Sequence, residues 1–196
     1  KNEEKIFTIG NSKAVNENNT ITAANLEYDK SNNVFEAKKN ALVTDLQKDT
    51  TIYADEIKYL KNDEKVFTKG KTRALIQNKY KFNSEDVSYF RNLGDLISQK
   101  ESSVEDESGN IYKVKNFNYN IDKEVLKGKE VQVLAKVDGN KIDQYFFSEG
   151  FFNFKDKSHL AKETKIKIHK DVFGDINQDP RIYGSSSFSD QNKTVV

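Results

Sequence analysis

Four residues recur at fixed offsets along this chain, and their spacing limits what it can fold into. Ile21, Ala23, Leu26 and Tyr28 stand at offsets 0, 2, 5 and 7. The same offsets pick out Ile52, Ala54, Ile57 and Tyr59, then Phe82, Ser84, Val87 and Tyr89. A fourth copy is Tyr112, Val114, Phe117 and Tyr119, and a fifth Phe147, Glu149, Phe152 and Phe154. The copies start 31, 30, 30 and 35 residues apart, and eighteen of the twenty positions are apolar or tyrosine; Ser84 and Glu149 are the exceptions. Offsets 0 and 2 have the period of a strand, as do 5 and 7. The odd step between them flips the phase, so a straight strand would turn half of its apolar residues to water. A bulge or sharp bend at that step restores a single apolar face.

Each copy is followed by a polar turn, as in "DKSNN", "LKNDEK", "RNLGD", "IDKE" and "KDKS", and then by a return strand. The return strands carry Val34-Phe35, Val66-Phe67, Leu96-Ile97, Val125-Leu126 and His159-Leu160. Connections between copies are polar too, as in "DESGN" at 106–110 and "DGN" at 138–140. This alternation predicts one all-β domain over 1–196, an antiparallel stack of about twelve bent strands built from repeats of about 30 residues. Such a stack is an open V or twisted half-barrel with apolar inner walls. Twelve strands would make a trough of roughly 50–60 Å. "KIFTIGNSKAV" (5–15) matches "KVFTKGKTRAL" (65–75), so the chain is expected to open on a return strand. Both ends read as cuts through a running array, whose edges would accept another stack.

The 196 residues suffice for a substantial core. Hydrophobic residues are 35% and charged residues 32%, with a mean hydropathy of −0.83. Aromatics at 11% and a net charge of only +1 argue against disorder. The same balance argues against a general nucleic-acid binder. No apolar run is long enough for a membrane-spanning helix, and the opening residues do not form a signal peptide. The absence of cysteine removes disulfides and thiol chemistry.

Signals for catalysis are weak, and no enzymatic activity is expected. His159 and His169 read as solvent-facing residues on a strand, with no acid or cysteine at metal-ligand spacing. The acidic pairs Asp55-Glu56 and Glu85-Asp86 fall at the bend of successive copies. They read as polar residues tolerated at an outward bend; stacked calcium-binding carboxylates are the alternative. There is no phosphate-binding glycine loop. Pro180 is expected to reset a strand start. Lys165, Lys167 and Lys170 read as a solvated face, or as a source of attraction to a ligand's phosphates. No metal and no cofactor is expected. The aromatics follow the inward pattern, so the open question is whether the interior closes as a core or stays open around something long and apolar.

"ITAANLEYDKSNNVFEAKKNALV" and "IYADEIKYLKNDEKVFTKGKTRAL" resemble the I-x-A-D-x-L-x-Y-D…A-x-G-N-V repeat of the lipopolysaccharide transport family, the OstA/LptA-like domain. The later part, from "YFFSEGFFNFKDKSHL" to "SSSFSDQNKTVV", is similar to the periplasmic N-terminal region of the LptD group of that family. The resemblance implies a twisted open β-jellyroll, or β-taco. It implies a non-catalytic conduit that receives lipopolysaccharide from an LptA-like periplasmic bridge protein at its N-terminal edge. The lipid A acyl chains would pass along the groove to a C-terminal β-barrel in the outer membrane, which carries an LptE-like plug lipoprotein. The groove would be lined by Ile21, Ala23, Leu26, Tyr28, Ile52, Ala54, Ile57, Tyr59, Phe82, Val87, Tyr89, Tyr112, Val114, Phe117, Tyr119, Phe147, Phe152 and Phe154.

The chain departs from the family pattern at Ser84 and Glu149, where different bends are expected. It departs again where the Gly-Asn of the return strand is Lys39-Asn40 in one copy and Gly70-Lys71 in another. The family's barrel and its cysteines are absent, which reads as an excised periplasmic fragment. A soluble LptA- or LptC-like bridge component is the close rival. A β-solenoid that binds or cleaves polysaccharide and a purely structural spacer are the distant ones.

Overall fold

Alternation of apolar and polar residues turns nearly the whole chain into antiparallel strands in the computed structural model, which describes residues 4–15, 18–137 and 139–196. Residues 1–3 of the opening stretch and Asp138 of the "DGN" connection lie outside the described residues. The chain divides into two compact units, Lys1–Lys100 and Glu101–Val196. No helix among the described residues is long and apolar enough to cross a membrane.

The first unit contains β1 (Lys5–Val15), β2 (Asn19–Asp29), β3 (Val34–Asp45), β4 (Thr50–Leu60), β5 (Lys65–Lys69), β6 (Lys71–Ile76), β7 (Tyr80–Glu85), β8 (Ser88–Phe90) and β9 (Asp95–Ser98). Strands β1 to β4 pair in chain order. One half of β4 then pairs with β5, which leads to β8 and β9; the other half pairs with β6, which leads to β7. The second unit contains β10 (Ser102–Glu105), β11 (Ile111–Asn120), β12 (Val125–Lys136), β13 (Ile142–Asn153), β14 (Ser158–Lys167), β15 (Arg181–Ser189) and β16 (Thr194–Val195), each paired with the next. The strands number sixteen among the described residues, against the expected twelve or so. The bend itself accounts for part of the excess: Gly70 separates β5 from β6, and Asp86 and Val87 separate β7 from β8.

The odd step has the expected effect on burial. Ala23 and Leu26 are both buried, as are Ala54 and Ile57, Phe82 and Val87, Val114 and Phe117, and Phe147 and Phe152. The extra residues, however, do not sit where the spacing suggested. In the first two copies the register slips in the neighbouring strand, between Ile9 and Ser12 in β1 and between Lys38 and Ala41 in β3. The left-handed residues lie there: Gly10 (φ 81), Asn11 (φ 41), Lys39 (φ 64), Asn40 (φ 55) and, between β5 and β6, Gly70 (φ 75). Glycine and asparagine take this conformation at least cost, so the return strand absorbs the distortion. The forward strands carry it only at Asp86 (φ 52) and Asn116 (φ 48).

Hydroxyl groups staple the bend. Thr8 bonds Ser12 across Gly10, and the Thr8 hydroxyl accepts the Leu26 N–H at 3.2 Å. The same device recurs at Thr68, which bonds Thr72 at 2.6 Å and accepts the Val87 N–H at 2.9 Å. Each staple gives a partner to an N–H at the break in the ladder. The hairpin turns end on left-handed residues, among them Asn33, Glu64, Gly94, Glu124 and Lys157. In the first unit they stack, with Lys61 N–H on Asn33 C=O at 3.0 Å and Arg91 N–H on Glu64 C=O at 2.9 Å. Pro180 directly precedes β15, and its carbonyl accepts the Ile168 N–H.

Small residues line the bend of the second unit. Gly128, Gly150, Ala161 and Ser187 are cross-strand neighbours in β12 to β15. A Cβ on Gly150 would lie 2.3 Å from the Phe152 ring, and one on Gly128 2.3 Å from the Val114 side chain. Gly150→Ala is therefore expected to cost about 1–3 kcal/mol through overpacking, read as a lower urea midpoint with an unchanged slope. Thr68→Val, which removes the hydroxyl shared by Thr72 and the Val87 N–H, is expected to cost a similar ~1–3 kcal/mol in the same titration.

Candidate functional site: an apolar inner face

In the first unit, register builds two rows of inward side chains, one on each side of the bend. One runs Ile6, Tyr28, Phe35, Tyr59, Val66, Tyr89, Leu96 across β1, β2, β3, β4, β5, β8 and β9. The other runs Ala14, Ile21, Val43, Ile52, Ala74, Phe82 across β1, β2, β3, β4, β6 and β7. Between them lies a floor of small and medium side chains: Ala23, Leu26, Ala37, Ala41, Ala54 and Ile57, all buried. Ala14, Ile21, Phe35, Val43, Ile52 and Val66 pack on that floor and are themselves only partly buried. Exposure falls along the first row, from 47% at Ile6 through half-buried Tyr28, Phe35, Tyr59 and Val66 to 8% at Tyr89 and 3% at Leu96. The inner face thus remains accessible over β1 to β5 and closes by β8 and β9.

Polar groups fix the larger side chains at the turn end. The Tyr28 hydroxyl donates to Asn33 Oδ1 at 2.9 Å, and the Tyr59 hydroxyl donates to Glu64 Oε1 at 2.9 Å. The Arg91 guanidinium lies over the Tyr59 ring and donates to the Tyr59 hydroxyl and to Glu64. Burial pushes the Tyr59 phenol up from its ordinary value.

The second unit fills its inner face with aromatic rings. Tyr112 packs on Phe152 and Phe154 at 5.5 and 4.8 Å, Phe154 on Tyr119, and Phe147 on Phe152 at 5.7 Å. His159 joins them, with its ring 5.3 Å from Phe147 and 5.7 Å from Phe152. Its Nε2 lies 3.2 Å from the Ser187 hydroxyl, and Ser187 also accepts a bond from Thr164. Burial lowers the His159 pKa. Burial thus favours the neutral ring, whose tautomer decides whether Nε2 or the Ser187 hydroxyl donates.

Twelve of the eighteen residues predicted to line the interior are buried: Ala23, Leu26, Ala54, Ile57, Phe82, Val87, Tyr89, Val114, Phe117, Tyr119, Phe147 and Phe152. The other six, Ile21, Tyr28, Ile52, Tyr59, Tyr112 and Phe154, are half-buried. The return strands supply as much of the face, with Phe35, Ala37, Ala41, Val43 and Val66. The forward-strand pattern did not reveal them. Their signal was the alternation Phe35–Ala37 and Ala41–Val43 on either side of Lys39-Asn40.

Several readings are corrected. His159 is not solvent-facing but packs within the aromatic cluster. His169 is also largely covered: its Nδ1 lies 2.8 Å from Asp143 Oδ1, and the same oxygen accepts its backbone N–H. Nor do all aromatics point inward, since Phe151, Tyr183 and Phe188 are exposed on the outer face, where neighbouring strands place lysines beside Phe151 and Tyr183. Ser84 lies next to a real break, because β7 ends at Glu85. Glu149 bends out of the inner face to meet Lys129 and Lys162 at 3.6 and 3.1 Å. Of the acidic bend residues, Glu56 meets Lys69 at 3.5 Å and Asp86 accepts the Gly70 N–H at 2.9 Å.

No protein-family model matches this chain, and no curated protein sequence matches it significantly.

His159 makes stability depend on pH. Its folded pKa lies below the unfolded value, so the unfolded chain binds the proton first. Stability is complete above about pH 6.5 and falls as pH drops below that value, by about 1.4 kcal/mol for each unit separating the two pKa values. His159→Gln is expected to flatten this slope in melting temperatures measured between pH 7.5 and 5.

Proposed function

We propose that this chain is a non-catalytic lipid conduit that holds acyl chains against the inner face of its first unit and passes them on. The observation that carries the reading is the pair of half-buried apolar rows over an alanine floor in β1 to β5. An ordinary core would place large side chains on that floor and bury the rows. Each methylene shielded there would contribute about 0.8 kcal/mol. The rows repeat from strand to strand, so many similar weak sites follow one another, which suits a ligand that slides.

The sequence resemblance gives the ligand its identity: lipopolysaccharide, held by its lipid A chains, on the periplasmic side of an outer membrane. The N-terminal edge would receive it from an LptA-like bridge. Among the described residues β1 pairs only with β2, and Ile6, Phe7 and Ile9 on it are exposed. A C-terminal β-barrel with its LptE-like plug lipoprotein would be the destination.

The test is photo-crosslinking to lipopolysaccharide. A photoreactive residue at Phe35 or Ile52 is expected to give lipid adducts, and one at exposed Lys30 or Lys58 is not. Folded protein that gives no adduct at Phe35 or Ile52, or gives equal adducts at all four positions, overturns the conduit.

A further inference from the structure

The outer face of the second unit carries, beside its Lys129–Glu149–Lys162 ion pairs, an apolar row that the first unit does not repeat across its central strands. In the first, outer-face side chains of β1 to β4 form a charge ladder: Lys5–Glu27–Lys38–Glu36–Lys58, with contacts of 3.1, 3.4, 2.7 and 3.0 Å. Acids and bases alternate there. In the second unit the outer row that begins at Lys127 continues as Phe151, Leu160, Phe188 and Val195 on four successive strands. Their exposures are 40%, 60%, 45% and 53%. Adjacent strands lie ~4.8 Å apart, so the four make an unbroken apolar stripe about 14 Å long. An exposed stripe of this kind marks a surface that something covers.

Charge decides what covers it. Four outer rows cross β12 to β15, and among their described residues the cations are Lys127, Lys129, Lys162, Lys165, Lys167 and Arg181. Glu149 pairs with Lys129 and Lys162, Asp179 pairs with Arg181, and Glu130 and Glu163 are exposed at the bulges of β12 and β14. The excess therefore rests on Lys127, Lys165 and Lys167, which make no ion pair among the described residues. The whole chain carries only +1, so this excess is local. Three of the lysines drape over aromatic rings: Lys127 over Phe151, Lys165 over Tyr183 and Lys167 over Phe146, each with Nζ 5.5–5.6 Å from the ring centre. The stems cover apolar surface, and the ammonium groups are carried at its margin. Aromatic and aliphatic side chains within a field of lysine suit the boundary between acyl chains and anionic headgroups. A sugar-binding platform would set its rings among hydrogen-bonding acids and amides; Leu160 and Val195 offer neither.

We infer that the outer face of β12 to β16 docks on an anionic lipid bilayer, with Phe151, Leu160, Phe188 and Val195 dipping into the interface and the lysines on the headgroups. This surface lies on the opposite side of the second unit's strands from that unit's own aromatic cluster, and the inference stands independently of the conduit.

The probe is co-sedimentation with vesicles of phosphatidylcholine, with or without 30% phosphatidylglycerol as roughly the anionic content of a charged leaflet. Binding is expected only with the anionic lipid, and is expected to weaken as salt is raised. The double variant Leu160→Ser with Phe188→Ser, and the triple variant Lys127→Gln, Lys165→Gln, Lys167→Gln, should each bind at least about tenfold more weakly. Lys58→Gln on the first unit should bind as the parent does. Circular dichroism confirms folding, and all variants should keep the Phe35 lipid adduct if the conduit is correct, which separates the two readings. The docking inference is overturned by no binding to anionic vesicles, by equal binding to neutral ones, or by folded variants that bind as the parent does.

Discussion

An odd step of three residues in each of the five forward copies is the constraint on which everything else rests. Without it, the residues before and after the bend would face opposite sides of the sheet, and neither side could form a core. With it, Ala23 and Leu26, or Ala54 and Ile57, lie on one surface. The step has a cost, because it breaks the hydrogen-bond ladder and asks a neighbouring residue to adopt a left-handed conformation. The chain meets that cost with glycine or asparagine where it has them, and with Thr8 and Thr68 hydroxyls that occupy the broken ladder. Lys39 takes the same conformation without either help.

Size at the bend then decides how the inner face is used. Alanines in β2, β3 and β4 leave room above them, and the rows on either side stay partly open. Glycines at 128 and 150 leave room too, but Phe152 and Val114 fold back and take it. The same backbone device therefore yields an accessible face in one unit and a filled one in the other. The ion pairs contribute little to either. Lys5, Lys38 and Lys58 are well exposed, and pairs of this kind are worth ~0–1 kcal/mol each. Their value lies in keeping the outer face of the first unit soluble, and the second unit lacks that ladder where its apolar stripe runs.

Much of the fold was legible because strand periodicity is a local property. Offsets 0, 2, 5 and 7 carry both the two-residue alternation and its interruption, so the inward residues and the bend could be read from Ile21 or Ile52 without any neighbour. The strand hosting the extra residue could not, since a bulge belongs to a pair of strands. Lys38 to Ala41 is distorted because of what β4 requires of β3. His159 shows the same limit: beside Leu160 on a strand it looks exposed, and only the rings of Phe147 and Phe152, brought from β13, cover it.

The sequence by itself determined that the chain is all β, that its strands bend, and which forward-strand residues point inward, because these follow from side-chain spacing along one strand. Only the tertiary structure decided how open the inner face is, which return-strand residues share it, and that Phe151, Leu160, Phe188 and Val195 form one exposed row. Those facts depend on register between strands and on the volume of side chains that meet across the bend. Neither is written in any single stretch of the chain.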